Sequence, residues 1–327
     1  MTRNVRLPLL LVGFGILALL VWRAGPRLLL SLLIRVGWSF PAIAAIYAAY
    51  VGARAVALWR SVPGGAVGLT DALRIRLSGQ AIETLSLSGP VFAEPAKGWL
   101  LKRRGLTTVD AFAAVVTEYV LYNVTCAWVA ALAVSWLLAR GSLPHAARLG
   151  AIAVLATTIA FIAVFAFAAI TGVGLIVPIL RASHLLIGAR RATRAARTFG
   201  RIEKVLVAFL HVHHGRLAEV LAIETASQLL LMLEIWIVIG ALGFSPSWGP
   251  PFIIEGGGKF IGIAFAFIPG QFGAAEGVYA LLAGAIGLPT AAGLTLALVR
   301  RIRSLLLAAA GVVALAMFDA RHGSSHR

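Results

Sequence analysis

Six ionisable residues stand inside otherwise apolar runs: Glu94, Glu234 and Glu276, and the group Arg300, Arg301 and Arg303. At membrane depth an ionised side chain is costly unless it is paired, hydrated or neutralised, so such residues mark a polar pathway or an interhelical ion pair. Glu276 closes the segment Ile268-Pro269-Gly270-Gln271-Phe272-Gly273-Ala274-Ala275-Glu276-Gly277, which breaks an apolar region running from Phe252 to Val299. Proline removes a backbone donor and glycine loosens the helix, freeing amide and carbonyl groups where lipid cannot satisfy them. Pro269, Gly270, Gln271, Gly273 and Glu276 are therefore candidates to line a wet cavity. The alternative is a Pro-Gly kink between ordinary helices with Glu276 at their interface.

An arginine in the middle of an apolar helix needs a carboxylate, a carbonyl cage or water. Arg300, Arg301 or Arg303 is thus the expected counter-ion of Glu276, with Glu94 facing them from the first broken segment across a midplane cavity. A purely structural ion pair between two helices is the competing reading. Glu234, deep in Leu231-Met232-Leu233-Glu234-Ile235-Trp236, is a further candidate, whereas Glu219 lies near a basic end and is expected at the interface.

The elements that position these residues are helical membrane segments. The chain has 327 residues, 60% of them hydrophobic and 13% charged, with a mean hydropathy of +0.94. Successive apolar runs approach or exceed the ~20 residues that cross a hydrocarbon core, and no polar stretch is long enough for a soluble domain. The fold class is all-α and polytopic, a single transmembrane domain over 1–327. Lys and Arg total 29 against 12 Asp and Glu, a formal charge of +17. The basic residues collect between apolar runs, as a cytoplasmic-side bias and an anionic leaflet produce, so nucleic acid is not implied. Cys126, the single cysteine, excludes an intrachain disulfide.

Arg3 and Arg6 precede Leu7 to Trp22, read as an uncleaved first helix, and Arg23 to Arg35 is a short amphipathic connection. Val36 to Trp59 is the second span, with Arg60, Arg74 and Arg76 marking the cytoplasmic side. Residues 77–101 are punctuated by Gly79, Glu83, Gly89, Pro90, Glu94 and Pro95 and bracketed by basic residues. This predicts a re-entrant hairpin with its tip near Ser88-Gly89-Pro90, or alternatively a surface hairpin. Ala111 to Leu138 and Leu149 to Leu180 are spans, the latter kinked near Thr171-Gly172-Val173-Gly174 and Pro178. The basic segment 181–216 follows. Leu217 to Phe244 is the next span, 252–287 the second broken hairpin, and Thr290 to Phe318 the last span. The total is six spans plus two re-entrant hairpins, or eight helices if the hairpins cross, with both termini cytoplasmic. Gly89-Pro90-Val91-Phe92-Ala93-Glu94 and Gly270-Gln271-Phe272-Gly273-Ala274-Ala275-Glu276 each place a glycine before a phenylalanine and end in glutamate. That is consistent with an inverted repeat around a central site.

Arg190, Arg194, Arg197 and Arg201 recur at helical spacing, as in a helix lying among headgroups. With Lys97 they are expected to attract an anionic or zwitterionic lipid, or else only to fix topology. His211-Val212-His213-His214 reads as interfacial rather than metal-binding, since adjacent histidines point to different helix faces. Asp110 and Asp319 need no more than helix-end roles. No phosphate loop, nucleophile elbow or zinc-protease signature occurs, so no cofactor, metal or enzymatic activity is expected. A membrane-embedded transferase using Glu94, Glu234 and Glu276 as acid and base groups remains an alternative, as does a non-transporting partner of a lipid-biosynthesis enzyme.

Pro269-Gly270, Phe272-Gly273 and Glu276-Gly277, then Gly287-Leu288, then Leu298 with Arg300-Arg301-Ile302-Arg303, resemble the membrane domain of lysylphosphatidylglycerol synthases and their stand-alone relatives, the flippase-like family. Within it the chain is similar to the membrane proteins associated with hopanoid biosynthesis. Glu94 followed by Leu100-Leu101-Lys102-Arg103-Arg104-Gly105 resembles the family's first block, and the likeness covers most of the chain, most densely its last third. Ser88-Gly89-Pro90 and Ala93 depart from the usual Pro-Gly-like turn and glycine, and Glu118-Tyr119 replaces a common Glu-Arg. The resemblance implies movement of a polar-headed lipid between leaflets. Because the chain ends soon after its last helix, no synthase activity is implied. A phospholipid, an aminoacylated lipid or a hopanoid-type lipid would each fit, in a bacterial cytoplasmic membrane.

The loop charges predict an orientation. Cysteines introduced at Ser142 and Ser247 should react with an impermeant thiol reagent applied outside intact cells, and one at Thr198 should not; the opposite pattern would refute the topology.

Overall fold

The computed structural model describes residues 25–86, 90–139, 145–174, 189–245, 247–264 and 271–323, together with residues 19, 21–23, 177, 178 and 182. Most of the first helix, the hairpin tip at 87–89, the loop 140–144, residues 265–270 with Pro269 and Gly270, and the last four residues lie outside the described set.

Among the described residues there are eleven α-helices, one 3-10 turn and no strand. They run α1 (Pro26–Gly37), α2 (Phe40–Ser61), α3 (Leu69–Leu85), α4 (Pro90–Arg103), α5 (Thr108–Ala139) and α6 (His145–Thr171). These are followed by α7 (Ala189–Val212), α8 (His214–Ala241), α9 (Gly249–Ala264), α10 (Ala274–Ala285) and α11 (Thr290–Gly323). The protein is a polytopic helical membrane protein: α2, α5, α8 and residues 148–171 of α6 are long and apolar enough to cross a bilayer. At 34 residues α11 is the longest helix among the described residues, but Arg300, Arg301 and Arg303 interrupt its apolar run.

Local sequence sets the boundaries. α2 has Pro41 in its first turn and stops before the Pro63 turn. α5 begins where the Asp110 amide donates to the Thr107 hydroxyl, 3.2 Å away, and that hydroxyl donates to the Asp110 carboxylate at 2.7 Å. Among the described residues α3, α4, α9 and α10 cover 17, 14, 16 and 12 residues. At 1.5 Å per residue each of these stretches is at most about 26 Å, less than the ~30 Å hydrocarbon core.

Two expected boundaries are corrected. The span expected over Leu149 to Leu180 ends at Thr171, because Gly172 adopts a φ of +69° and turns the chain out of the helix. The connection Arg23 to Arg35 is mostly the helix α1, started by Pro26 after Gly25 and burying Leu29 and Val36 while Leu28, Leu30 and Ile34 face outward.

The core lies where α8, α9, α10 and α11 meet α1 and α2, around Ile43, Ile235, Val238, Ile254, Tyr279 and Leu296. A second cluster joins α2 to the first hairpin and α5 through Leu58, Ile75, Leu100, Leu101 and Val115. By contrast only 6% of the apolar window of α6 is buried, against 39–50% for the other three spans, so α6 is peripheral.

Close helix contact depends on missing side chains. A Cβ on Gly311 would fall 2.2 Å from the Leu77 carbonyl oxygen, where α11 crosses α3, and one on Gly293 would fall 2.1 Å from the Tyr279 carbonyl oxygen. Backbone cannot yield as a flexible side chain can. Gly311→Ala should therefore destabilise the purified protein by about 1–3 kcal/mol, read as a lowered thermal unfolding midpoint, whereas Gly52→Ala, where nothing lies within 4 Å, should not.

Candidate functional site

The buried charges form two clusters. The first is built on Glu118 of α5, which has no exposed surface. Arg54 of α2 donates through Nη2 to its Oε1, Arg76 of α3 lies 3.7 Å from the same oxygen, and Lys97 of α4 reaches Oε2 at 3.3 Å. Lys97 also pairs with Glu94 one turn earlier, at 2.7 Å. Glu224 of α8, equally buried, lies 3.5 Å from Arg54 Nε and accepts the Ser227 hydroxyl at 3.2 Å. The stem of Lys97 passes where a Cβ on Gly79 would stand, 2.8 Å from its Cγ, so Gly79 admits the lysine between the arms of the hairpin.

The second cluster surrounds α11. Arg303 donates through Nε to Glu234 of α8 at 2.6 Å. Arg300 donates to Glu255 of α9 at 2.6 Å and to the Tyr279 hydroxyl of α10 at 2.6 Å, and its Nε lies 3.6 Å from Glu234. Arg301 donates through Nε to Glu276 of α10 at 2.9 Å, with Nη2 at 2.7 Å. Lys259 also pairs with Glu255, one turn back along α9. The other oxygen of Glu276 accepts the Gly273 amide at 2.8 Å, so one carboxylate both starts α10 and binds α11. Gln271 and Gly273 carry positive φ, 52° and 76°, at this entry to the helix.

Tyrosines stand between the clusters. The Arg54 guanidinium lies 3.6 Å from the Tyr122 ring centroid, with Lys259 Nζ 5.8 Å from the same ring. Tyr50, within 3.5 Å of Arg54, stacks on Tyr47 at 5.5 Å, and Tyr47 carries the Arg303 guanidinium at 3.5 Å. Such cation–ring contacts strengthen when desolvated. The result is a charged and aromatic seam through the helix core, rather than isolated pairs. Among the described residues, the buried atoms Glu234 Oε2, Gln228 Oε1 and Ser78 Oγ have no hydrogen-bond partner.

Several expected residues meet in this seam: Glu94, Lys97, Glu234, Glu276, Arg300, Arg301 and Arg303. The counter-ion of Glu276 is Arg301, while Arg300 and Arg303 turn to Glu255 and Glu234. Glu94 pairs with Lys97 at 2.7 Å and Glu276 with Arg301 at 2.7 Å. Lys97 is no headgroup-facing lysine, being 1% exposed. Arg76, one of the three arginines expected to mark the cytoplasmic side, is 2% exposed and turned toward Glu118. Glu219 is half-exposed and paired with Arg60 at 2.7 Å. Arg197 and Arg201 are exposed on α7, while the side chains of Arg190 and Arg194 lie outside the described set, as do Pro269 and Gly270.

Sequence reasoning missed Arg54, Arg76, Glu224, Glu255 and Lys259 as site members and treated Glu118 only as a departure from a motif. Arg54 was the available signal: it stands inside the second apolar run, five residues before Trp59. Glu255 and Lys259 flank Gly256-Gly257-Gly258 at one-turn spacing, a pair that looks self-sufficient until Arg300 is placed beside it.

Removing one member of a buried pair strands the others. Glu118→Gln should lower stability by about 3–5 kcal/mol, and the half-exposed control Glu219→Gln by less than about 1 kcal/mol, in denaturant titrations of the purified protein.

Residues 10–311 match the family described as Lysylphosphatidylglycerol synthase TM region. No curated protein and no solved structure matches the chain.

Proposed function

The chain belongs to the lysylphosphatidylglycerol synthase TM-region family, and from that premise we propose that it moves a polar-headed lipid between the leaflets of a membrane. The observation that carries the reading is the seam of buried ion pairs, whose members come from both broken hairpins and from the long helix that follows each. A headgroup in transit needs partners that can be exchanged for it at low dielectric, and alternating carboxylates and cations offer them to a phosphate, an amine or both. Glu94 and Arg301 have the most accessible side chains of the seam, 17% and 24% exposed. They are the points at which a headgroup would first displace a protein partner. The acyl chains stay in lipid.

In this reading the chain does no covalent chemistry, its lipid has an anionic or zwitterionic headgroup, and phospholipid, aminoacylated and hopanoid-type lipids are all candidates. Its place is a bacterial cytoplasmic membrane, with both termini inside. A second reading, a non-transporting partner of a lipid-biosynthesis enzyme, draws on α6, whose outward residues Ile159, Val164, Phe167 and Ile170 offer a face to another membrane helix.

Reconstitution into liposomes with fluorescent lipids separates the two. Glu276→Gln can still accept the Gly273 amide but loses its charge toward Arg301, and Glu94→Gln does the same toward Lys97. Each should slow movement by about tenfold or more, roughly 1.4 kcal/mol of barrier, while Glu219→Gln moves lipid normally. Wild-type rates in both folded variants would sink the proposed path. Absence of movement by the wild-type protein with every lipid tested would favour the partner reading.

A further inference from the structure

A cavity of about 640 Å³ opens between α7 and Gly172, Gly174, Val177 and Pro178, and none of these lining residues belongs to the buried seam. Its volume falls in the roughly 300–1,000 Å³ range of small-molecule sites. One face of α7 forms a wall, with Arg197, Arg201, Lys204 and His211 following one another at helical spacing. Val207, Ala208 and Val212 lie among them, and Val177 and Pro178 stand opposite. The walls are built to this separation. Glu203, 5% exposed, accepts the Val177 amide at 3.0 Å, and a Cβ on Gly174 would fall 2.5 Å from its carboxyl carbon. His211 Nδ1 lies 3.2 Å from the Ala169 carbonyl oxygen, and Gly200 leaves room for Val177.

Glu203 is thus occupied in holding the wall, while Arg197, Arg201 and Lys204 are exposed and make no ion pair with any described carboxylate. Three cations over about 10 Å of helix, beside apolar walls at the end of a membrane span, match a ligand that is anionic at one end and apolar at the other. A free phosphate would gain nothing from Val177, Pro178, Val207 or Val212.

We propose that this cavity is a binding site for an anionic, phosphate-headed membrane lipid, with the phosphate held by Arg197, Arg201 and Lys204 and the glyceryl and first methylene groups against the valine and proline wall. The site is separate from the buried seam and stands whether or not the protein moves lipid.

The test is thermal unfolding of the purified full chain in mild detergent, titrated with phosphatidylglycerol, phosphatidylcholine or inorganic phosphate. Phosphatidylglycerol should raise the unfolding temperature saturably, and phosphatidylcholine and inorganic phosphate should do so far less. Arg197→Gln with Arg201→Gln should weaken the apparent affinity about thirtyfold. Lys102→Gln with Arg103→Gln, which removes the same charge from α4, should leave it unchanged. Ala208→Trp, which projects an indole into the cavity and keeps every cation, should also weaken binding, and it covers the case in which the arginine variant fails to fold. A response to inorganic phosphate equal to that of phosphatidylglycerol would overturn the lipid assignment. Equal loss in the α4 variant, or full binding in Ala208→Trp, would reduce the effect to general surface charge and overturn the site.

Discussion

Three arginines within four positions of α11 cannot all point the same way, since successive residues on a helix turn by about 100°, and in an apolar setting each must find its own partner. Arg303 takes Glu234 from α8, Arg300 takes Glu255 from α9, and Arg301 takes Glu276 from α10. The azimuth of α11 is therefore fixed by three neighbours at once. A rotation that relieved one pair would strand the other two, so the second half of the bundle is assembled around this helix.

The first half solves the same problem with the signs exchanged. There the long helix α5 supplies the anion, Glu118, and the cations come from α2, α3 and α4. In both halves a broken hairpin precedes the long helix and contributes partners to it: Arg76 and Lys97 in one, Glu255 and Glu276 in the other. Gly311 against Leu77 draws α11 onto α3 of the first hairpin, which holds the two halves in contact.

The helical membrane class and the need of the α11 arginines for partners were legible in the sequence, because each follows from local composition. The partition of those partners was not. Glu276 was the only acid in the segment just before α11, whereas Glu234 and Glu255 reach it through tertiary packing. Lys97 was misread for a related reason. A basic residue at the edge of an apolar run looks the same whether it faces headgroups or turns inward to Glu118, and only the positions of α3, α4 and α5 decide. Gly172-Val173-Gly174 reads as a kink within a span that runs on to Leu180, whereas Gly172, at a φ of +69°, ends α6.

The contrast in burial between the seam and α7 divides the molecule's charges into two populations that respond differently to ionic strength. Mobile ions screen exposed charges over about 8–10 Å in ordinary buffers, so added salt weakens whatever Arg197 and Arg201 hold at the surface. It does not reach Glu118 or Glu234, which have no exposed surface. High-salt washing during purification would thus strip weakly held anions from the outside of the protein while leaving its internal pairing intact, which makes ionic strength a reversible way to silence one set of charges without mutating either.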